Sequence, residues 1–143
     1  MNNLSRSFLA LSTIGIFVAI YHGYDELTHY STPLSKACNI NSLFSCGSVF
    51  NSGYTTFLGV SLYVYGLVWF PLMVVLGYWL IRRSGSLRFE VIFPLLMVGN
   101  LFTIYLWYLE FVKIHAFCPV CIGMYVLNYL MTAVVVVAML TED

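Results

Sequence analysis

The residues best suited to covalent chemistry in this chain are its four cysteines, and their spacing sorts them into two kinds of pair. Cys118-Pro119-Val120-Cys121 is a C-x-x-C motif, whereas Cys38 and Cys46 stand apart with seven residues between them. Neighbouring thiols exchange with disulfides when a thiolate attacks a disulfide sulfur. Pro119 suits the first turn of a helix, where its missing N–H costs nothing. The motif therefore predicts a helix opening near residue 118, with both thiols in the partial positive field of its N-terminus. That field favours the reactive thiolate. Two blander readings stay open at this point. The four cysteines could make two structural disulfides, or a four-thiolate zinc site, although zinc ligands usually come as two close pairs.

The elements that must position these thiols are apolar. Of 143 residues, 61% are hydrophobic and 8% charged, against roughly 45–50% and about 25% in soluble domains. Six basic residues balance six acidic ones, so there is no polybasic footprint for nucleic acid. A spanning helix needs about 20 mainly apolar residues. Four stretches predict spans at about 8–24, 58–81, 91–112 and 118–140, within one domain over 1–143. A signal peptide is the alternative for the first, but no small-x-small cleavage pattern follows Ile20. The fold expected is an all-α integral membrane protein, a four-transmembrane-helix bundle.

Arg6, Arg82, Arg83 and Arg88 fall on one side of such a bundle, and Lys36 and Lys113 on the other. The positive-inside tendency puts both termini in the cytoplasm. All four cysteines then lie on the outer, extracytoplasmic side, where disulfides persist. The outer loop 25–57 is the long non-spanning segment. Asn39 or Asn41 can cap a short helix in it, with Ile40, Leu43 and Phe44 as an apolar stripe. Such a helix would lie in the membrane interface and act as a lid. Asn100 sits deep in the third span and is expected to bond a neighbouring helix. Glu110, near the outer end of that span, is expected as an interfacial acid with a possible proton-transfer or loop-holding role. No span carries a charged pair at mid-depth, which leaves a transporter reading without support.

This pattern resembles the vitamin K epoxide reductase family, specifically its bacterial and archaeal branch. The resemblance rests on Cys38, on Cys46-Gly47-Ser48-Val49-Phe50-Asn51-Ser52, on Leu58-Gly59-Val60 and on Tyr105-Leu106-Trp107-Tyr108-Leu109-Glu110. Ala116-Phe117-Cys118-Pro119-Val120-Cys121 and Tyr125 complete it. DsbB-type quinone reductases also have four spans and four cysteines, but there the C-x-x-C precedes the separated pair. Some features depart from the family pattern. Val120 stands where prokaryotic members often carry Trp, and Thr55 where vertebrate members have a quinone-site Asn. Many bacterial members also carry a fused thioredoxin-like domain. This chain stops at Asp143, so the expected partner is separate.

The resemblance implies a membrane thiol:quinone oxidoreductase in the plasma (inner) membrane of a prokaryote. A reduced thioredoxin-fold protein, similar to DsbA, would pass electrons to Cys38 and Cys46, then to Cys118 and Cys121, and finally to a quinone of the ubiquinone, menaquinone or vitamin K type. Protein disulfides outside the cytoplasm would be the product. No metal is expected. Ser52 is the first candidate donor to the quinone, by its offset from the second loop cysteine, and Tyr125, one turn beyond Cys121, is the second. Phe50, Tyr54 and Thr55 are candidate lining residues. The plain alternatives are a backbone cap for Ser52 and an interfacial aromatic for Tyr125. For the whole chain they are a vitamin K epoxide or quinone reductase on the same site, a DsbB-like quinone reductase, and a membrane scaffold stapled by disulfides.

Overall fold

In a computed structural model, residues 3–27, 56–84, 89–115 and 119–141 are described. Helix α1 covers Asn3–Leu27. A small hairpin follows, with strands β1, Thr56–Phe57, and β2, Val60–Ser61. Helix α2 runs over Leu62–Ser84 and α3 over Phe89–Tyr108. A π-helical turn, Leu109–Ile114, extends α3, and α4 spans Pro119–Thr141. The proline thus opens α4, as its missing N–H led us to expect.

Three of these helices contain stretches long and apolar enough to cross a membrane: Asn3–Tyr24, Val91–Lys113 and Pro119–Thr141. Helix α2 holds a shorter apolar run, Tyr63–Trp79. The outside of the bundle is itself apolar, with Phe17, Val68, Val75, Leu101 and Ile104 exposed. The inside holds Ser5, Ser12, His22, Thr103, Glu110 and Asn128. Apolar side chains outward and polar ones inward is the arrangement lipid demands.

One boundary differs from the sequence expectation. The second span was placed from residue 58, yet the helix starts at Leu62. Leu58 and Gly59 both have positive φ, at 55° and 80°. They form the two-residue turn of a hairpin pairing Thr56 with Ser61 and Phe57 with Val60. Positive φ at both central positions is what a tight hairpin turn needs, and it interrupts a helix. Apart from this two-residue ladder, the described residues are helical, in line with the all-α expectation. The expected interfacial helix of loop 25–57 lies outside the described residues.

Helix packing follows from a stripe of small side chains. On α1, Ser5, Phe8, Ser12, Gly15, Ala19 and His22 are buried at alternating spacings of three and four. That spacing keeps one face of α1 turned to the inside of the bundle. Among the described residues, α1 packs against α2 and α4, and α3 packs against α4. Small residues let the backbones approach closely. A Cβ on Gly15 would run into the Phe70 ring of α2, whereas one on Gly123 of α4 would meet nothing within 4 Å.

The neighbouring helices are antiparallel. Ser12 Oγ lies 3.9 Å from Met131 Sδ. Ten residues on along α1 and ten back along α4, His22 meets Cys121. On the same principle Phe8 faces Gly77, and Tyr63 faces Gly23. One end of the bundle therefore gathers the end of α1, the hairpin and start of α2, the π-helical turn and the start of α4. Arg82 and Arg83 close α2 at the other end, stacked over Tyr78 and Trp79. From this packing, Gly15→Ala is expected to cost about 1–3 kcal/mol by overpacking, lowering the thermal midpoint in detergent. Gly123→Ala should leave that midpoint unchanged or raise it slightly, by up to about 1 kcal/mol of helix propensity.

Candidate functional site

The π-helical turn decides which way Glu110 faces. A π turn spends one extra residue per turn, so the consecutive Leu109 and Glu110 both point inward. Glu110 is 2% exposed, where the sequence suggested an acid at the membrane interface. The turn is closed by the His115 N–H, which donates to the Glu110 carbonyl at 2.9 Å. His115 itself is exposed and left-handed, with φ 58°. An ionisable group inside a lipid-embedded bundle is costly unless it is partnered. The Tyr125 hydroxyl supplies a partner, donating to Glu110 Oε1 at 3.2 Å.

Tyr125 is 5% exposed and belongs to a small core with Leu106, Leu109 and Cys121. The Trp107 ring lies 5.4 Å from the Tyr125 ring, inclined at 59°. Cys121 is one turn earlier on the same face of α4, at 8% exposure. It is the third residue of that helix, close to the N-terminal dipole. Its sulfur lies 3.9 Å from His22 Nε2. His22, on α1, is 3% exposed and meets the Tyr63 ring edge-on, with centroids 6.4 Å apart.

Below this cluster lies a cavity of about 480 Å³, within the range of about 300–1,000 Å³ typical of small-molecule sites. Tyr65 and Trp69 of α2, Phe102 and Thr103 of α3, and Tyr125 and Asn128 of α4 line it. Val60 of the hairpin closes its upper edge. The space exists because α2 and α3 meet through side chains: the Tyr65 and Phe102 rings at 5.7 Å, and the Trp69 indole over Gly99. Val68, Leu72 and Val98 line the cavity and are also exposed, so it opens sideways between α2 and α3. The lining includes Tyr125 but not Cys121.

A polar network forms the floor. The Trp69 indole donates to Asn128 Oδ1 at 3.0 Å, and Asn128 Nδ2 donates to Asn100 Oδ1. Asn100 Nδ2 continues to Thr132 Oγ1 at 3.2 Å, the interhelical bond expected of a deep asparagine. Thr103 donates to the Asn100 carbonyl at 2.7 Å, and its oxygen lies 2.9 Å from the Tyr129 hydroxyl. That hydroxyl accepts from the Trp107 indole at 3.1 Å. Three helices are thus tied together beneath the cavity.

A buried cysteine at a helix N-terminus, an enclosed tyrosine–glutamate pair and an apolar chamber on one wall thus lie side by side. Residues 6–136 match the model of the Vitamin K epoxide reductase family. The chain belongs to that family. No solved structure matches it. As a vitamin K epoxide reductase family protein with several membrane-crossing helices, it is a multi-pass membrane redox enzyme of that type.

Within this family member, Cys121, Tyr125 and Glu110 come together at one end of the bundle. Cys38, Cys46, Cys118, Phe50, Ser52, Tyr54 and Thr55 lie outside the described residues. Sequence reasoning missed His22. Its signal was present in the spacing, because His22 continues the buried stripe of α1 at a position that otherwise carries small residues or Phe8. It also missed Trp69 and Asn128, whose pairing joins spans far apart in sequence. The Tyr125–Glu110 bond is testable by a double-mutant cycle on Tyr125→Phe and Glu110→Leu. We expect a coupling energy of about 0.6–1.7 kcal/mol, the scale of hydrogen bonds inside membranes. Strict additivity would leave the two side chains uncoupled.

Proposed function

We propose that this protein is a thiol:quinone oxidoreductase that generates disulfides in proteins outside the cytoplasm. The observation that carries the reading is the shared Tyr125: its ring is packed with Cys121 on one side and lines the apolar cavity on the other. Four residues along a helix is about 6 Å of rise, so sulfur and cavity are neighbours. A quinone is a flat apolar ring with two carbonyl acceptors. A chamber walled by aromatic side chains, opening sideways past Val68 and Val98, suits a substrate that arrives dissolved in the membrane.

In the proposed relay, a thiolate of a thioredoxin-fold, DsbA-like partner attacks the Cys38–Cys46 disulfide at Cys38. Cys46 leaves as a thiolate and attacks Cys118 of a Cys118–Cys121 disulfide, freeing Cys121. The partner's second thiol then displaces Cys38 and closes the partner's own disulfide, and the Cys38 thiolate attacks Cys46, re-forming Cys38–Cys46 and releasing Cys118. Each exchange forms one sulfur–sulfur bond and breaks another. The last step oxidises the Cys118 and Cys121 thiols to a disulfide, and their two electrons and two protons convert quinone to quinol. Protein dithiols of the periplasmic oxidant type sit near about −120 mV, from which a respiratory quinone can still accept. When quinone binds, a protonated Glu110 donates to the Tyr125 oxygen and the single Tyr125 O–H turns to a quinone carbonyl, with Ser52 as a second donor and Phe50, Tyr54 and Thr55 as further lining. Glu110 holds the Tyr125 hydroxyl and exchanges protons with it. Arg6, Arg82 and Arg83 at the opposite end from Cys121 support an orientation with the thiols outside and the termini in the cytoplasm.

The test is anaerobic turnover of the purified protein with a reduced thioredoxin-fold partner, offered ubiquinone, menaquinone or vitamin K epoxide in turn. Quinol formation coupled to partner oxidation is expected. Cys121→Ser should abolish quinone reduction while the loop disulfide still forms. Cys38→Ser should block oxidation of the partner and spare quinone reduction by small dithiols. Retained turnover in Cys121→Ser, or loss of both activities in Cys38→Ser, would contradict these roles.

A further inference from the structure

The proposed relay assigns a role to every cysteine but leaves one buried group beside the sulfur unused. His22 is on α1, which carries none of the four cysteines. Its Nε2 nonetheless comes within 3.9 Å of Cys121 Sγ, with both side chains buried. The approach is imposed by helix register, since the same antiparallel seam pairs Ser12 with Met131 ten residues deeper. Gly23 helps hold the ring. It lets Tyr63 of α2 close in, where a Cβ would stand 2.8 Å from the Tyr63 ring, and Tyr63 then meets the His22 ring edge-on.

We propose that His22 is the proton acceptor for the Cys121 thiol, holding that sulfur as the thiolate from which electrons pass to the quinone. The inference rests on the thiol:quinone reading for its purpose but not for its test. In the step, the Cys121 S–H bond breaks, its electron pair stays on sulfur and the proton moves to His22 Nε2. When Cys118 and Cys121 become a disulfide, two electrons leave for the quinone, and His22 gives up the proton it held, one of the two that complete the quinol. A histidine beside a cysteine is a recognised way to activate a nucleophile.

Titratable groups facing His22 are found, among the described residues, on two neighbouring helices. From α4 there is Cys121 and from α2 there is Tyr63. The nearby carboxylate, Glu110, is engaged by Tyr125 one turn further along α4. On α1 itself Tyr24, Asp25 and Glu26 follow, at the membrane end of the helix. The helix N-terminus also favours the Cys121 thiolate, so the histidine's share must be measured as a difference.

The experiment uses the full-length protein in detergent with Cys38, Cys46 and Cys118 replaced by serine, leaving Cys121 as the single thiol. The rate of alkylation by iodoacetamide is followed from pH 5 to 10 by mass spectrometry, with His22 present and as His22→Gln. The expected result is a half-maximal rate below the free-cysteine value of about 8.5. In His22→Gln the midpoint should rise by about one unit, which is roughly a tenfold slower reaction at pH 6.5. Superimposable profiles would overturn the proposal. If His22→Gln does not fold, His22→Asn takes its place. If neither folds, the His22 ring decides in the His22 protein: its NMR titration should shift when Cys121 is alkylated, and an unchanged titration overturns the pair. Quinone turnover is scored separately in the four-cysteine protein, where His22→Gln should lower kcat and leave the KM for quinone unchanged. A shifted thiol profile without any quinone reduction would leave the pair standing and remove the quinone reading. Quinone reduction with unshifted profiles would do the reverse.

Discussion

Lipid offers no partner to a polar side chain, so a polar group in this bundle must find one on its own helix's backbone or on a neighbouring helix. The rest of the architecture follows from meeting that demand at specific heights. Trp69, Asn128, Asn100 and Thr132 meet it in mid-bundle and tie α2, α3 and α4 together. Tyr125 and Glu110 meet it at the end where α4 begins, and His22 and Cys121 do so beside them. Each pair fixes the register of two helices, and the registers agree. The cavity is what remains where α2 and α3 are held apart by their side chains.

The same demand separates structural from reactive groups. Asn, Thr and Trp side chains are satisfied by neutral hydrogen bonds and have no proton to lose near neutral pH. Cysteine, histidine, tyrosine and glutamate do carry exchangeable protons, and among the described residues the buried ones gather at one end. The π-helical turn is the device that adds the carboxylate. Its extra residue widens the inward face, and Leu109 and Glu110 are both buried there. Such turns are frequent at functional sites, and this one changes the chemistry within reach of Tyr125.

Much of this was legible in the residues. The apolar stretches gave the helices, Pro119 gave the start of α4, and the four-residue step from Cys121 to Tyr125 put both on one face. Asn100 was rightly read as an interhelical donor. Other features were hidden for physical reasons. The apolar run over Leu58–Val60 looks helical, because hydropathy does not register the positive φ that Leu58 and Gly59 adopt. The depth of Glu110 could be counted from the span, but its facing depended on a π turn that a 3.6-residue period does not encode. His22 was passed over because its partner stands about a hundred positions away, and only the packing of α1 on α4 joins them.

The account stands on electrons leaving the Cys118–Cys121 thiols for a quinone next to Tyr125. A single-turnover titration tests this most directly. Protein with Cys38 and Cys46 replaced by serine is fully reduced, freed of reductant and mixed anaerobically with one equivalent of quinone. The account predicts one quinol formed for every two thiols lost, with Cys118 and Cys121 recovered as a disulfide. Both thiols still alkylatable and no quinol after mixing would contradict it.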